Sequence, residues 1–138
     1  MEPQQSQECH EVRMTAGLIG FEEVKRYRLV QRPEEAPFQR LQMAEGPGLD
    51  FLVVPASEIV ENYHPDIPED EIQSLGLKNP EEALVLSIVT LHPDGQATAN
   101  LRGPIVVNRR SFVAKQVIPR NATRFPLAHR LLLNGNGC

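Results

Sequence analysis

Apolar and polar residues alternate in short runs along most of the chain, the period-two signature of half-buried β-strands. Residues 11–17 (EVRMTAG) and 27–31 (YRLVQ) alternate in this way, and 38–45 (FQRLQMAE) does so imperfectly through Phe38, Leu41 and Met43. The run LDFLVVPA at 49–56 is continuously apolar and β-branched. It suits a strand buried on both faces and stopped by Pro55. ALVLSIVTL at 83–91 enters a Pro-Asp-Gly turn, HPDGQ, and ATANLRGPIVVN and SFVAKQVI supply further strands. Gly103-Pro104 interrupts the first of these. Proline cannot donate to a central ladder, so the pair predicts a bulge or an edge.

One segment carries helix signals instead. In HPDIPEDEIQSLGL (64–77), Asp66 is placed to cap the N-terminus, with Glu69 three residues on. Acids fill the first turn, Ile72 and Leu75 give a narrow apolar stripe, and Gly76 suits the residue just past the end. FEEVKR (21–26) and NPEE (79–82) predict single helical turns, and PEEAP (33–37) predicts an acidic turn. There is no βαβ rhythm and no internal repeat. The pattern predicts a mainly β protein, a small antiparallel β-barrel or sandwich of six or seven strands with one short helix. Residues 1–10 read as a disordered leader, 11–129 as the domain, and 130–138 as a flexible tail.

Composition narrows this picture. A chain of 138 residues makes one domain, and 5% aromatic content without Trp leaves Val, Ile and Leu to build the core. No apolar run approaches the ~20 residues of a membrane span, and the polar N-terminus has no signal-peptide core, so the expected location is cytoplasmic. Cys9 and Cys138 read as two free thiols. Charge is asymmetric. Up to Glu82 there are seven basic and seventeen acidic residues, a net −10, and beyond it seven basic residues face Asp94 alone, a net +6. Such a split points either to a charged partner or to two parts of one domain facing each other.

Catalytic chemistry does not assemble. The four histidines His10, His64, His92 and His129 lack metal-ligand spacing, and the paired acids sit in turns where solvent reaches them. The five serines include no nucleophile elbow, and the GLIG turn (17–20) has apolar residues where a phosphate cradle needs none. The sequence reads as a non-enzyme acting without a metal or cofactor. The basic ribbon at 99–120 is the feature that calls for a partner. Arg102, Arg109, Arg110, Lys115, Arg120 and Arg124 suit phosphates, and Asn100 and Asn108 suit base edges, which supports a nucleic-acid-binding barrel as the alternative function. Against it, the half beyond Glu82 offers only Phe112 and Phe125 as stacking platforms.

Several segments together resemble the flagellar assembly factor FliW family: GLIGFEEVKRYRLV, LDFLVVPASEIVENYHPDIPEDEIQSLGL, NPEEALVLSIVTL, ANLRGPIVVN, AKQVI and FPLAH. They occur in the family's order over residues 12–129. Phe125 stands where the family has tyrosine, and Ala128 where a basic residue is common. The resemblance implies a cytoplasmic β-barrel, monomeric when free, that binds proteins rather than membranes or nucleic acid. Such proteins bind flagellin before its export. They also sequester the translational repressor CsrA, relieving repression of flagellin mRNA by partner switching. The expected partner contacts are Asn100, Arg102, Pro104, Ile105 and Asn108 on a docking edge, with Glu69, Asp70 and Glu71 as an acidic patch for a basic partner.

Overall fold

The computed structural model describes residues 7–131. Its strands are β1 (Glu8–Met14), β2 (Arg26–Gln31), β3 (Gln39–Met43), β4 (Asp50–Pro55), β5 (Ala83–Leu91), β6 (Ala97–Ala99), β7 (Ile105–Asn108), β8 (Val113–Gln116) and β9 (His129–Arg130). β4, β3, β2, β1, β8, β7 and β5 are hydrogen-bonded in that order, and a further β4–β5 pairing closes the ring into a seven-stranded barrel. β6 and β9 extend from β5 as a side lobe over Val54, Val89, Ala97 and Ala99. The nine-residue β5 makes this possible. It pairs with β7 through 83–86, with β4 through 86–89 and with β6 through 89–91.

All ring pairs are antiparallel except β1–β8, which is parallel through Arg13↔Val113 and Met14↔Ala114. That pair joins the first strand to the last strand of the ring, a closure that no local turn dictates. β1 also begins at Glu8, three residues inside the stretch that composition reads as leader. Glu8, Cys9 and His10 pair with Gln31, Val30 and Leu29, and the His10 ring stacks on Phe112 at 4.3 Å. A polar segment is held here by a long-range partner that composition does not reveal. Residues 1–6 of the leader, and 132–138 of the tail with Cys138, lie outside the described residues.

Alternation along the strands sends one set of side chains inward. Val12, Met14, Tyr27, Leu29, Leu41, Met43, Val53, Leu86, Ile105, Val107 and Ala114 form the barrel core. The short helix α1 (Glu69–Ser74) lies outside the wall, where Leu75 covers Val106 and Val117. Its N-cap is Pro68, with no side-chain cap. The Asp66–Glu69 capping box does not form, because Asp66 is tied through its backbone to Asn121 and Arg120 instead. The predicted C-terminal stop does form. Gly76 takes φ +69, its N–H bonds the Gln73 carbonyl and the Leu77 N–H reaches back to Ile72. PEE at 33–35 and at 80–82 make single 3₁₀ turns. The FEEVKR turn is not helical; Leu18 and Phe21 form an isolated bridge across the GLIG turn.

Candidate functional site

Following the inward positions to the strand ends gives the barrel two different mouths. At one end the inward set finishes with Phe51 opposite Leu41, Ile88 opposite Val53 and Gln116 opposite Ile105. At the other it finishes with Gln31, Gln39, Leu84 and Arg109, which line a depression of about 760 Å³.

The first mouth is a depression of about 380 Å³. Two irregular segments wall it, the GLIG turn at 17–20 and the bulge at 100–104. Glycine is required in the turn: Gly17 has φ +70, and a Cβ there would lie 2.7 Å from the backbone of Phe21 and Glu22. Gln116 spans the gap between them. Its Oε1 accepts the Ile19 N–H at 2.9 Å and its Nε2 donates to the Gly103 carbonyl at 2.9 Å. Phe21 and Phe51 meet edge to face at 5.8 Å below. Around the rim Ile19, Ile118 and Leu127 are 60%, 53% and 59% exposed.

Three of the expected partner contacts, Asn100, Arg102 and Pro104, lie in the bulge itself. Asn100 Oδ1 accepts the N–H groups of Arg102 and Gly103, closing a local turn. Arg102 Nε donates to the Phe125 carbonyl. From the opposite side the Tyr63 hydroxyl donates to the Leu101 carbonyl at 2.7 Å, and the Tyr63 ring packs on Phe125 at 4.8 Å. Burial pushes the Tyr63 hydroxyl up to about 12, so it remains a donor at any physiological pH.

Gly103-Pro104 is therefore a bulge and not an edge, since β7 is paired on both sides. Pro104 and Ile105 are buried, and Ile105 has no exposed surface at all. Asn108 is 5% exposed and works internally: its Nδ2 donates to the Leu75 carbonyl, and its Oδ1 accepts the Arg110 and Ser111 N–H groups. These three positions hold the fold together and offer a partner no surface. Asn100 and Arg102 do line the mouth. On α1, Glu69 and Asp70 are exposed, whereas Glu71 is engaged by Lys115 Nζ at 2.7 and 3.0 Å; none of the three lines either mouth.

The basic ribbon divides in the same way. Lys115 pairs with Glu71 and Arg110 with Glu82, so part of the charge asymmetry is settled within the domain. The two asparagines proposed to read bases are occupied by backbone groups. Ile19, Gln116, Ile118 and Leu127 line the site but were not singled out by sequence, and neither was Tyr63, which lines the other depression and braces the bulge through Leu101. Ile118 and Leu127 read as ordinary apolar residues, and only the fold shows that they are uncovered.

The comparisons with known proteins agree with this geometry. The family model described as FliW protein matches residues 1–131. The chain belongs to the FliW family. It is 41% identical over 107 residues to the flagellar assembly factor FliW of Leptospira interrogans serovar copenhageni, spanning 76% of this chain and 71% of that protein. It is 36% identical over 104 residues to the Bacillus subtilis protein of the same description, spanning 75% and 73%. A crystal structure of the flagellar assembly factor FliW superposes with a TM-score of 0.76 at 32% identity, covering 87% of this chain and 84% of the other. Of the segments carrying the FliW resemblance, GLIGF, LDFLVV, ALVLSIV, ANLRG, AKQVI and FPLAH each contribute a residue to the apolar mouth.

Proposed function

We propose that this protein is a flagellar assembly factor that acts by partner switching. It binds flagellin in the cytoplasm, and when flagellin is scarce it sequesters CsrA and relieves repression of flagellin mRNA. Membership of the FliW family supports the reading. The observation that carries it is the convergence of six FliW-like segments on one uncovered apolar depression, a surface suited to gripping another protein. The exposed acids Glu69 and Asp70 lie away from that mouth and present negative charge to a basic partner such as an RNA-binding repressor.

A competition titration tests the proposal. Labelled CsrA is bound to the purified protein and flagellin is added. Displacement of CsrA is expected, and failure of the protein to bind either one sinks the assignment. The nucleic-acid alternative draws on Arg109, Arg120 and Arg124, which make no ion pair among the described residues. Affinity for single-stranded RNA that falls steeply with salt would favour it, and negligible binding at low salt disposes of it.

A further inference from the structure

We infer that the apolar mouth receives an amphipathic helix, which inserts two or three aliphatic side chains between Ile19, Ile118 and Leu127 and places a carboxylate on Arg102. The inference rests on the partner-binding reading above and specifies its chemistry. Five large hydrophobic residues are exposed among the described residues, Ile19, Leu49, Leu91, Ile118 and Leu127, and three of them surround this one depression. A volume of about 380 Å³ holds a few aliphatic side chains, not a folded surface.

The walls decide how a partner can bind. Adding a strand requires free backbone N–H and C=O groups, and the N–H groups of Ile19, Gly20 and residues 100–103 are already engaged. The Ile19 N–H is held by Gln116, the Gly20 N–H by Glu22, and the Arg102 and Gly103 N–H groups by Asn100. The Leu101 and Gly103 carbonyls accept from Tyr63 and Gln116. With those donors spent, side chains entering the depression are the main source of recognition. A helix satisfies its own backbone and presents anchors at i, i+3 or i+4, and i+7, which meets that requirement. Arg102 is the one charged residue in the lining. Its Nε is fixed on the Phe125 carbonyl, and it makes no ion pair among the described residues. A guanidinium so positioned selects a carboxylate on the entering helix.

The full chain, isotope-labelled, is titrated with a designed peptide of about 18 residues, long enough to be helical, with leucines on one face flanked by glutamates. Amide resonances of Ile19, Gly103, Gln116, Ile118 and Leu127 are expected to shift while those of Gln39 and Arg109 stay in place. Leu127→Asp, at an exposed position, weakens binding by roughly tenfold or more. Arg102→Glu weakens the glutamate peptide and gains affinity for a lysine-flanked version. Shifts confined to the polar mouth, affinity unchanged in both variants, or no binding at roughly millimolar peptide overturns the inference. Flagellin captured equally by the wild type and Leu127→Asp removes the mouth assignment while leaving the assembly-factor reading intact. Flagellin ignored by the wild type, with the peptide still mapping to the mouth, removes the assembly-factor reading and keeps the mouth.

Discussion

The two ends of the barrel use the same strands and the same alternation, yet they finish differently. At the apolar mouth a glutamine, Gln116, has both ends of its amide engaged by the backbone of two wall segments. At the polar mouth a glutamine at a comparable inward position, Gln39, has a buried Oε1 with no hydrogen-bond partner. One amide organises a surface made of uncovered aliphatic side chains; the other is a polar group that the fold tolerates. Side-chain type alone does not say which end leaves its apolar groups uncovered. The distinction lies in whether the polar groups are committed to holding the walls, leaving the apolar ones free.

Substitutions that separate the two ends follow, from the largest effect to the smallest. Ile105→Ala, on the floor beneath the apolar mouth, is expected to lower unfolding free energy by about 2–5 kcal/mol in chemical denaturation, as for a buried aliphatic truncation. A loss of partner binding without a loss of stability would instead restore Ile105 as a contact residue. Gln116→Leu strips two backbone groups of their partner and should destabilise by about 1–2 kcal/mol, with weaker partner binding as the turn and bulge separate. The same change at the other end, Gln39→Leu, removes an unpartnered acceptor. It is expected to leave stability unchanged or raise it by up to about 1 kcal/mol, with binding at the apolar mouth unaffected. Opposite signs for the two glutamine substitutions sustain the contrast, and equal losses would end it.

The smallest effect is on pH dependence, and it touches both ends. Glu22 beside the apolar mouth is held below the usual 4.5 by the Gly20 N–H, and Glu82 at the start of β5 is held below it by the Lys78 N–H and by Arg110. A depressed folded-state value means that the stabilisation is fully present above the usual 4.5 and is lost as pH falls through the lower value. Thermal unfolding followed from neutral pH into that acidic window should show a modest decline. Glu22→Gln should remove the share of that slope belonging to the apolar end.

Much of the fold was legible in the residues because its signals are local. Alternation marked β1, β2 and β3, apolar runs marked β4 and β5, Gly76 ended the helix, and Gly103-Pro104 announced an irregularity in the strand it interrupts. Where the reading went astray, a distant segment intervened. Ile105 and Val106 alternate, so one of the pair must face the core, and Ile105 is expected on the docking edge. Both are buried, because α1 and the chain around it cover the outer face at Val106. Asp66 has the spacing of a cap, but Asn121, 55 residues away, holds its backbone N–H first. The Gly-Pro pair reads equally well as an edge or a bulge, and pairing on both sides of β7 makes it a bulge.

The sequence by itself determined most of the strands, the single helix and, through six dispersed segments, the FliW family. It did not determine β9, the start of β1 at Glu8 or the division of 97–108 into β6 and β7. Periodicity and turn chemistry act within a few residues, and a family pattern is written in order along the chain. Only the tertiary structure decided that β4 meets β5 to close the ring, that β1 runs parallel to β8, and that the six segments meet at one mouth. Closure matters physically because it settles which inward positions become core and which become rim. Leu86 is sealed inside by its neighbours on every side, while Ile118 and Leu127, just as apolar, lie outside the paired strands and stay more than half exposed.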